Sequence, residues 1–249
     1  MTSQKIAIVS AGGEIAQVLI KEIKNARIYK IDPKNPPDLS ELAKKLKEDE
    51  ITEVVFSGKV DKRAVFSSKI DFAKKDDISI LKDISSYFFN QGIKVRNQLR
   101  WLKRFLAEEG LIAGKGLSQA EEKDVKFGFS VAKRLVSTGV GQVVCVKNGV
   151  VVAVEGLEGT DETILRAGSL VRDFVVVKCG KRGLELPVIG KKTILAMKKA
   201  GAKVIAVQAK RVLLLESAVG LARKYGITIV GIDQVKISRQ DAKDAKEDE

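Results

Sequence analysis

Residues 5–23, KIAIVSAGGEIAQVLIKEI, decide the fold: a short apolar run, a turn with two adjacent glycines, then apolar residues at helical spacing. Lys5 to Val9 read as a buried strand, and Ile15, Val18, Leu19 and Ile23 fall on one side of a helix. A strand that turns directly into an amphipathic helix opens an α/β unit. Working outward, the alternation continues with a strand over 26–31, a helix over 40–48 and a strand over 53–57 that ends in Gly58-Lys59. Strand and helix in turn predict a parallel sheet with helices on its faces. A helix over 78–91, a short strand over 94–96 and a helix over 98–107 carrying the single tryptophan, Trp101, complete this half.

Gly110, Gly114 and Gly116 interrupt the periodicity, and the domain boundary is expected there. The N-terminal domain then spans 1–110, a linker and long helix span 111–137, and a second α/β domain with a mixed sheet spans 138–233. Ser118 and Glu121 make a capping box for the long helix. Residues 234–249 are charged, lack an apolar period and are expected to be disordered.

The second half opens with residues 141–161, GQVVCVKNGVVVAVEGLEGTD. Asn148-Gly149 sits between two β-forming runs and tolerates the positive φ angles of a two-residue hairpin turn. The hairpin delivers Glu155, Glu158 and Asp161 into one short glycine-containing loop. Carboxylates at that density suit a hard cation or an oxygen nucleophile. They equally suit a plain helix start, with Thr160 or Asp161 as the cap. Helices over 160–167, 191–200 and 217–225 then alternate with strands over 174–178, 203–208, 212–215 and 228–232.

Composition narrows the chemistry. The 249 residues hold no histidine, which removes the usual general base and the commonest transition-metal ligand. A serine-histidine triad and a His-based zinc site are excluded. Cys145 and Cys179 are too few for a zinc motif, and Cys145 lies on an apolar strand. Lys and Arg number 45 against 32 acidic residues, a net charge of +13 that favours anionic partners. Nucleic acid is not expected, because few aromatics stand beside the basic clusters to stack on bases. Neither a signal peptide nor a membrane-spanning run is present, so a cytoplasmic protein is expected.

Three turns are candidate anion sites. Ala11-Gly12-Gly13 follows the first strand, where glycines let backbone N–H groups approach a phosphate, although G-x-G-x-x-G is incomplete and Glu14 adds a negative charge. Gly58-Lys59 ends the third strand on the same sheet edge. Lys178 ends the strand over 174–178 and precedes the basic turn Cys179-Gly180-Lys181-Arg182-Gly183. Tight turns and solvated lysines explain the same residues without a ligand.

These blocks in order resemble one family. Ala11-Gly12-Gly13, Gly58-Lys59-Val60, Asp76-Asp77, Val140-Gly141-Gln142, Val154-Glu155 through Glu158-Gly159-Thr160-Asp161, and Arg166-Ala167-Gly168 are similar to the UDP-2,3-diacylglucosamine pyrophosphatases of the LpxI type. The likeness continues through 186–190, 206–208 and 226–232. It implies an N-terminal Rossmann-like domain, a distinct C-terminal domain, and Mg²⁺-dependent hydrolysis of an acylated UDP-sugar held between them. The products implied are UMP and a diacylated glucosamine 1-phosphate, within lipid A assembly. Carried over, Gly12, Gly13, Gly58, Lys59, Gln142, Gly159, Thr160 and Lys178 contact substrate, and Asp161 and Glu158 position metal or water. Glu185, a third candidate catalytic carboxylate beside Asp161 and Glu158, stands where the family has an aspartate and closes the segment 179–185, which is shorter here and lacks the family's Gln-Asp pair. A relative that binds without turnover is the alternative. A homodimer, open to domain exchange, and peripheral contact with the inner membrane surface complete the expectations.

Overall fold

The computed structural model describes residues 5–58, 77–180 and 186–233, with the side chains of 77–81 left aside. Two compact units divide between Arg104 and Phe105.

The first unit runs β1 (Ile6–Ser10), α1 (Glu14–Glu22), β2 (Arg27–Lys30), α2 (Leu39–Glu48), β3 (Glu53–Ser57), α3 (Asp77–Asn90), β4 (Lys94–Val95) and α4 (Leu99–Leu102). Its sheet is wholly parallel, in the order β2-β1-β3-β4. The chain leaves β1 toward β2 on one side and returns through β3 on the other, so the ends of β1 and β3 flank a topological switch point. Ala7, Val9, Leu46, Val54, Phe88 and Ile93 form the core. Buried Glu53 pairs with Arg96, whose guanidinium holds that carboxyl below its ordinary range.

The helix expected over 98–107 stops after one turn and a 3₁₀ turn at Lys103–Phe105. Backbone pairing ends it: Leu106 bridges Leu213, and the Ala107 N–H donates to the Val212 carbonyl at 2.9 Å.

The second unit runs β5 (Gly110–Ala113), α5 (Gln119–Thr138), β6 (Val143–Lys147), β7 (Val150–Val154), α6 (Thr160–Leu170), β8 (Val175–Lys178), β9 (Val188–Ile189), α7 (Lys191–Ala200), β10 (Val204–Gln208), β11 (Leu213–Leu214), α8 (Glu216–Tyr225) and β12 (Thr228–Ile232). Its mixed sheet has the order β5-β12-β10-β8-β6-β7, and β9 and β11 pair separately. Strands β8, β10 and β12 are parallel, β6 runs against both neighbours, and β5 runs against β12. Residues 110–113, read from sequence as the start of a connector, are therefore an edge strand with Leu111 opposite Val230. Helix α5 lays Val125, Phe129, Ala132 and Val136 on one sheet face. Helices α6, α7 and α8 cover the other with Ile164, Ala167, Ile194, Met197, Ala218 and Ala222. Among the described residues no helix is long and apolar enough to cross a membrane.

The predicted hairpin forms, with Asn148 at φ 51° and Gly149 at φ 75°. Its turn is tied to α5: the backbone N–H groups of Asn148 and Gly149 donate to the buried Asp124 carboxylate at 2.8 and 2.6 Å. Removing that acceptor strands two N–H groups and loosens the hairpin that carries the acidic loop. Asp124→Ala is expected to cost about 2–3 kcal/mol in urea unfolding, and a loss below ~0.5 kcal/mol would show that the turn holds without it.

Candidate functional site

In the second unit β7, β8, β10 and β12 all run in one direction, so their C-terminal ends share an edge with the start of β6. Ligands of α/β sheets bind beyond this edge. Glu155 follows β7, Lys178 closes β8 and Gln208 closes β10. The register sets Lys178 opposite both Val143 and Val207.

Lys178 is only 5% exposed. A buried ammonium demands acceptors, and its Nζ donates to Thr160 Oγ1 at 2.9 Å and to the Val188 carbonyl at 3.3 Å. Thr160 Oγ1 passes the polarity on, donating to Glu155 Oε1 at 3.0 Å. The other Glu155 oxygen accepts the Gln142 N–H at 2.9 Å. Gly141 makes this approach feasible, since a Cβ there would lie 2.1 Å from the Glu155 carbonyl oxygen. Lys178, Thr160, Gln142 and the loop are thus brought together as one chain of hydrogen bonds. The Gln142 carbonyl also receives the Cys179 N–H, and Gln208 Oε1 receives the Gly180 N–H at 3.1 Å.

Helix α6 starts at Thr160, with Gly159 as its N-cap at φ 83° and ψ 174°. That backbone region belongs to glycine, and Thr160 and Asp161 stand inside the first turn instead of capping it. Neither α6 nor α7 has a capping side chain, since glycine stands at both N-caps, Gly159 and Gly190. Two helix starts of this kind favour an anion.

The two carboxylates expected to hold metal part company. Arg166 donates to Glu158 Oε1 at 2.7 Å and Thr163 to the same oxygen at 3.1 Å, while the Gly156 N–H takes Oε2 at 3.2 Å. The Arg166 bond, opposed by some desolvation, holds the Glu158 carboxyl below its ordinary range. Asp161 accepts from Thr193 at Oδ1 (2.8 Å), and its Oδ2 accepts no hydrogen bond among the described residues. No group of three or more Asp, Glu or Cys side chains converges among them. Mg²⁺ at phosphate sites needs one or two carboxylates, with phosphate oxygens and water completing the shell. Asp161 fits that demand; Glu158, spent on Arg166, does not.

In the first unit Gly12, Gly13 and Gly58 come together at the switch point. The Ala11 N–H donates to the Ser57 carbonyl at 2.8 Å, and the Gly12 N–H donates to Ser10 Oγ at 3.0 Å. A Cβ on Gly58 would lie 2.6 Å from the Gly12 oxygen. Lys59, Glu185, the basic turn 181–183 and the tail 234–249 lie outside the described residues. Sequence reasoning passed over Thr193, whose partner lies 32 residues away, and gave Glu155 no role of its own. For Glu155 the available signal was Gly141, a glycine two residues before β6.

Residues 3–105 match the model of the LpxI N-terminal domain, and residues 108–230 match that of the LpxI C-terminal domain. The chain belongs to the LpxI family. A relative from Caulobacter vibrioides, the UDP-2,3-diacylglucosamine pyrophosphatase LpxI, is 26% identical over 184 residues, covering 68% of this chain and 66% of that protein. The match therefore spans just under two thirds of the relative's length. The LpxI C-terminal match contains the whole Lys178–Thr160–Glu155 network, and the LpxI N-terminal match contains Gly12, Gly13 and Gly58.

Burial pushes both thiols, Cys145 and Cys179, up to about 12, so neither is a nucleophile. Iodoacetamide at neutral pH is expected to label neither in the folded protein and both after unfolding; labelling of folded Cys179 would mean that the end of β8 opens. The Glu158 carboxyl, lowered in the fold, stabilises the protein above its ordinary value of 4.5 and loses that contribution as pH falls through the folded value. Because Arg166 is half exposed, screening keeps this below about 1 kcal/mol. Glu158→Gln should trail the parent in stability at neutral pH and converge with it in acid; a gap that persists in acid would assign the loss to packing.

Proposed function

We propose that the chain hydrolyses the pyrophosphate bond of an acylated UDP-sugar, UDP-2,3-diacylglucosamine or a close analogue, to UMP and the acylated sugar 1-phosphate. This would place it in lipid A assembly. The observation that carries the reading is Lys178, buried at the ligand edge of the sheet and bonded to Thr160 in the first turn of α6. An ammonium and two glycine-started helices bind a diphosphate by charge and backbone N–H donation together. Family membership and the name of the Caulobacter relative support the substrate class.

In this reading Lys178 neutralises charge on the diphosphate as the bridging oxygen departs. Thr160 is oriented by Glu155, which fixes its hydroxyl proton and keeps its oxygen turned toward Lys178. The first-turn N–H groups of α6 and α7 receive phosphate oxygens. Asp161, steadied by Thr193, would hold Mg²⁺. When bound, that ion supplies charge neutralisation on the phosphates and acidifies a water. Within the first unit, glycines 12, 13 and 58 form an anion turn of their own.

A second reading, a relative that retains the ligand without turnover, is favoured by the engagement of Glu158 with Arg166, which leaves Asp161 with less carboxylate help. Release of UMP from UDP-2,3-diacylglucosamine with Mg²⁺ separates the two. We expect Lys178→Met to lower kcat/KM about 10²–10³-fold, as loss of a buried transition-state donor does. Asp161→Asn is expected to raise the Mg²⁺ concentration needed for half-maximal rate. Tight binding with no UMP release under any divalent ion would leave the silent binder.

A further inference from the structure

Helix α7 divides its ten residues cleanly. Thr193, Ile194, Ala196, Met197 and Ala200 are buried, while Lys191, Lys192, Leu195, Lys198 and Lys199 face solvent. The exposed set recurs at helical spacing and forms one stripe. Because α7 packs against both α6 and α8, the stripe runs along the middle of a three-helix layer. The neighbours extend it: α8 exposes Arg223 and Lys224, and α6 ends on Leu170, 65% exposed, while Leu195 on α7 is 44% exposed.

Lysine runs are commonly just solvated, and two observations argue for more. The first turn of α7 holds two lysines and no acid, against its own dipole. Lys192, Lys198, Lys199, Arg223 and Lys224 make no ion pair among the described residues, although Lys198 and Lys224 approach the Tyr225 ring at 4.0 and 5.8 Å. Cations surrounding an exposed leucine are the pattern of a helix that lies on an anionic interface. Nucleic acid would leave Leu195 and Leu170 without partners, and the layer offers no open aromatic for a base.

We propose that the α6–α7–α8 face docks on an anionic phospholipid bilayer. The inference rests on the acylated-substrate reading for its purpose: the helix starts that would grip the diphosphate belong to the helices that would lie on the bilayer, so the sugar is taken up beside the membrane that holds its acyl chains.

The test is sedimentation of the full chain with vesicles of phosphatidylcholine containing phosphatidylglycerol, and with phosphatidylcholine alone. Binding is expected to the mixed vesicles only, and to weaken with salt. Each lysine at such a surface is worth about fivefold, so the combined variant Leu195→Gln, Lys198→Gln, Lys199→Gln should bind at least about 25-fold more weakly. The control carries Lys126→Gln, Lys133→Gln and Arg134→Gln on α5, against the opposite sheet face, and should bind like the parent. Equal losses in both variants would mean a diffuse charge effect, and no binding to either vesicle would also overturn the proposal. So would duplex RNA that outcompetes the vesicles through the α7 lysines. Sedimentation needs no turnover: an inactive chain that still binds through α7 supports the docking face and removes only the hydrolase reading.

Discussion

Burial of one ammonium organises the second unit. Taking a lysine head group out of water costs several kcal/mol unless acceptors surround it, and those for Lys178 come from separate segments. Thr160 reaches it from the start of α6 and the Val188 carbonyl from β9. Thr160 is anchored on Glu155, and Glu155 on the backbone before β6. Satisfying one charge thus fixes the acidic loop, the first turn of α6 and the approach to α7. The same polar chain that stabilises the fold presents the site, and a change at Thr160 acts on both.

The two units solve the strand-to-helix problem alike. Gly13 before α1 and Gly159 before α6 adopt nearly the same backbone, φ 93° with ψ 173° and φ 83° with ψ 174°. Each starts its helix without a side-chain cap, and an uncapped helix start is the kind that favours an anion. A serine or aspartate in either place would stabilise the free helix and compete with phosphate. Glycine at both positions gives up that local stability in exchange for a backbone few other residues adopt.

What could be read from sequence was local. The hairpin at Asn148-Gly149, the capping box at Ser118 and Glu121, and the helix over 191–200 each depend on residues a few positions apart, and each formed as expected. Strands β5 and β9 escaped notice because four and two residues hold no period; only pairing with β12 and β11 makes them strands. The same limit applied within the site. Spacing grouped Glu158 with Asp161, but the fold sent the first to Arg166, on the exposed side of α6, and the second to Thr193 on α7. Gly12 and Gly58 were legible as neighbours because parallel-sheet topology alone brings their strand ends together.

Strand β7 forms one rim of the second sheet and consists of four valines and an alanine, with neither charge nor proline to discourage another strand. Its guards lie elsewhere in the fold: an extra residue at Val152 bends the rim, and Arg166 occupies the last carbonyl, that of Val154. Arg166 is translated after the hairpin, so during synthesis a complete apolar ribbon precedes its own cover. Self-association of nascent chains should accordingly begin at this rim, by strand addition, before the helical layer has closed.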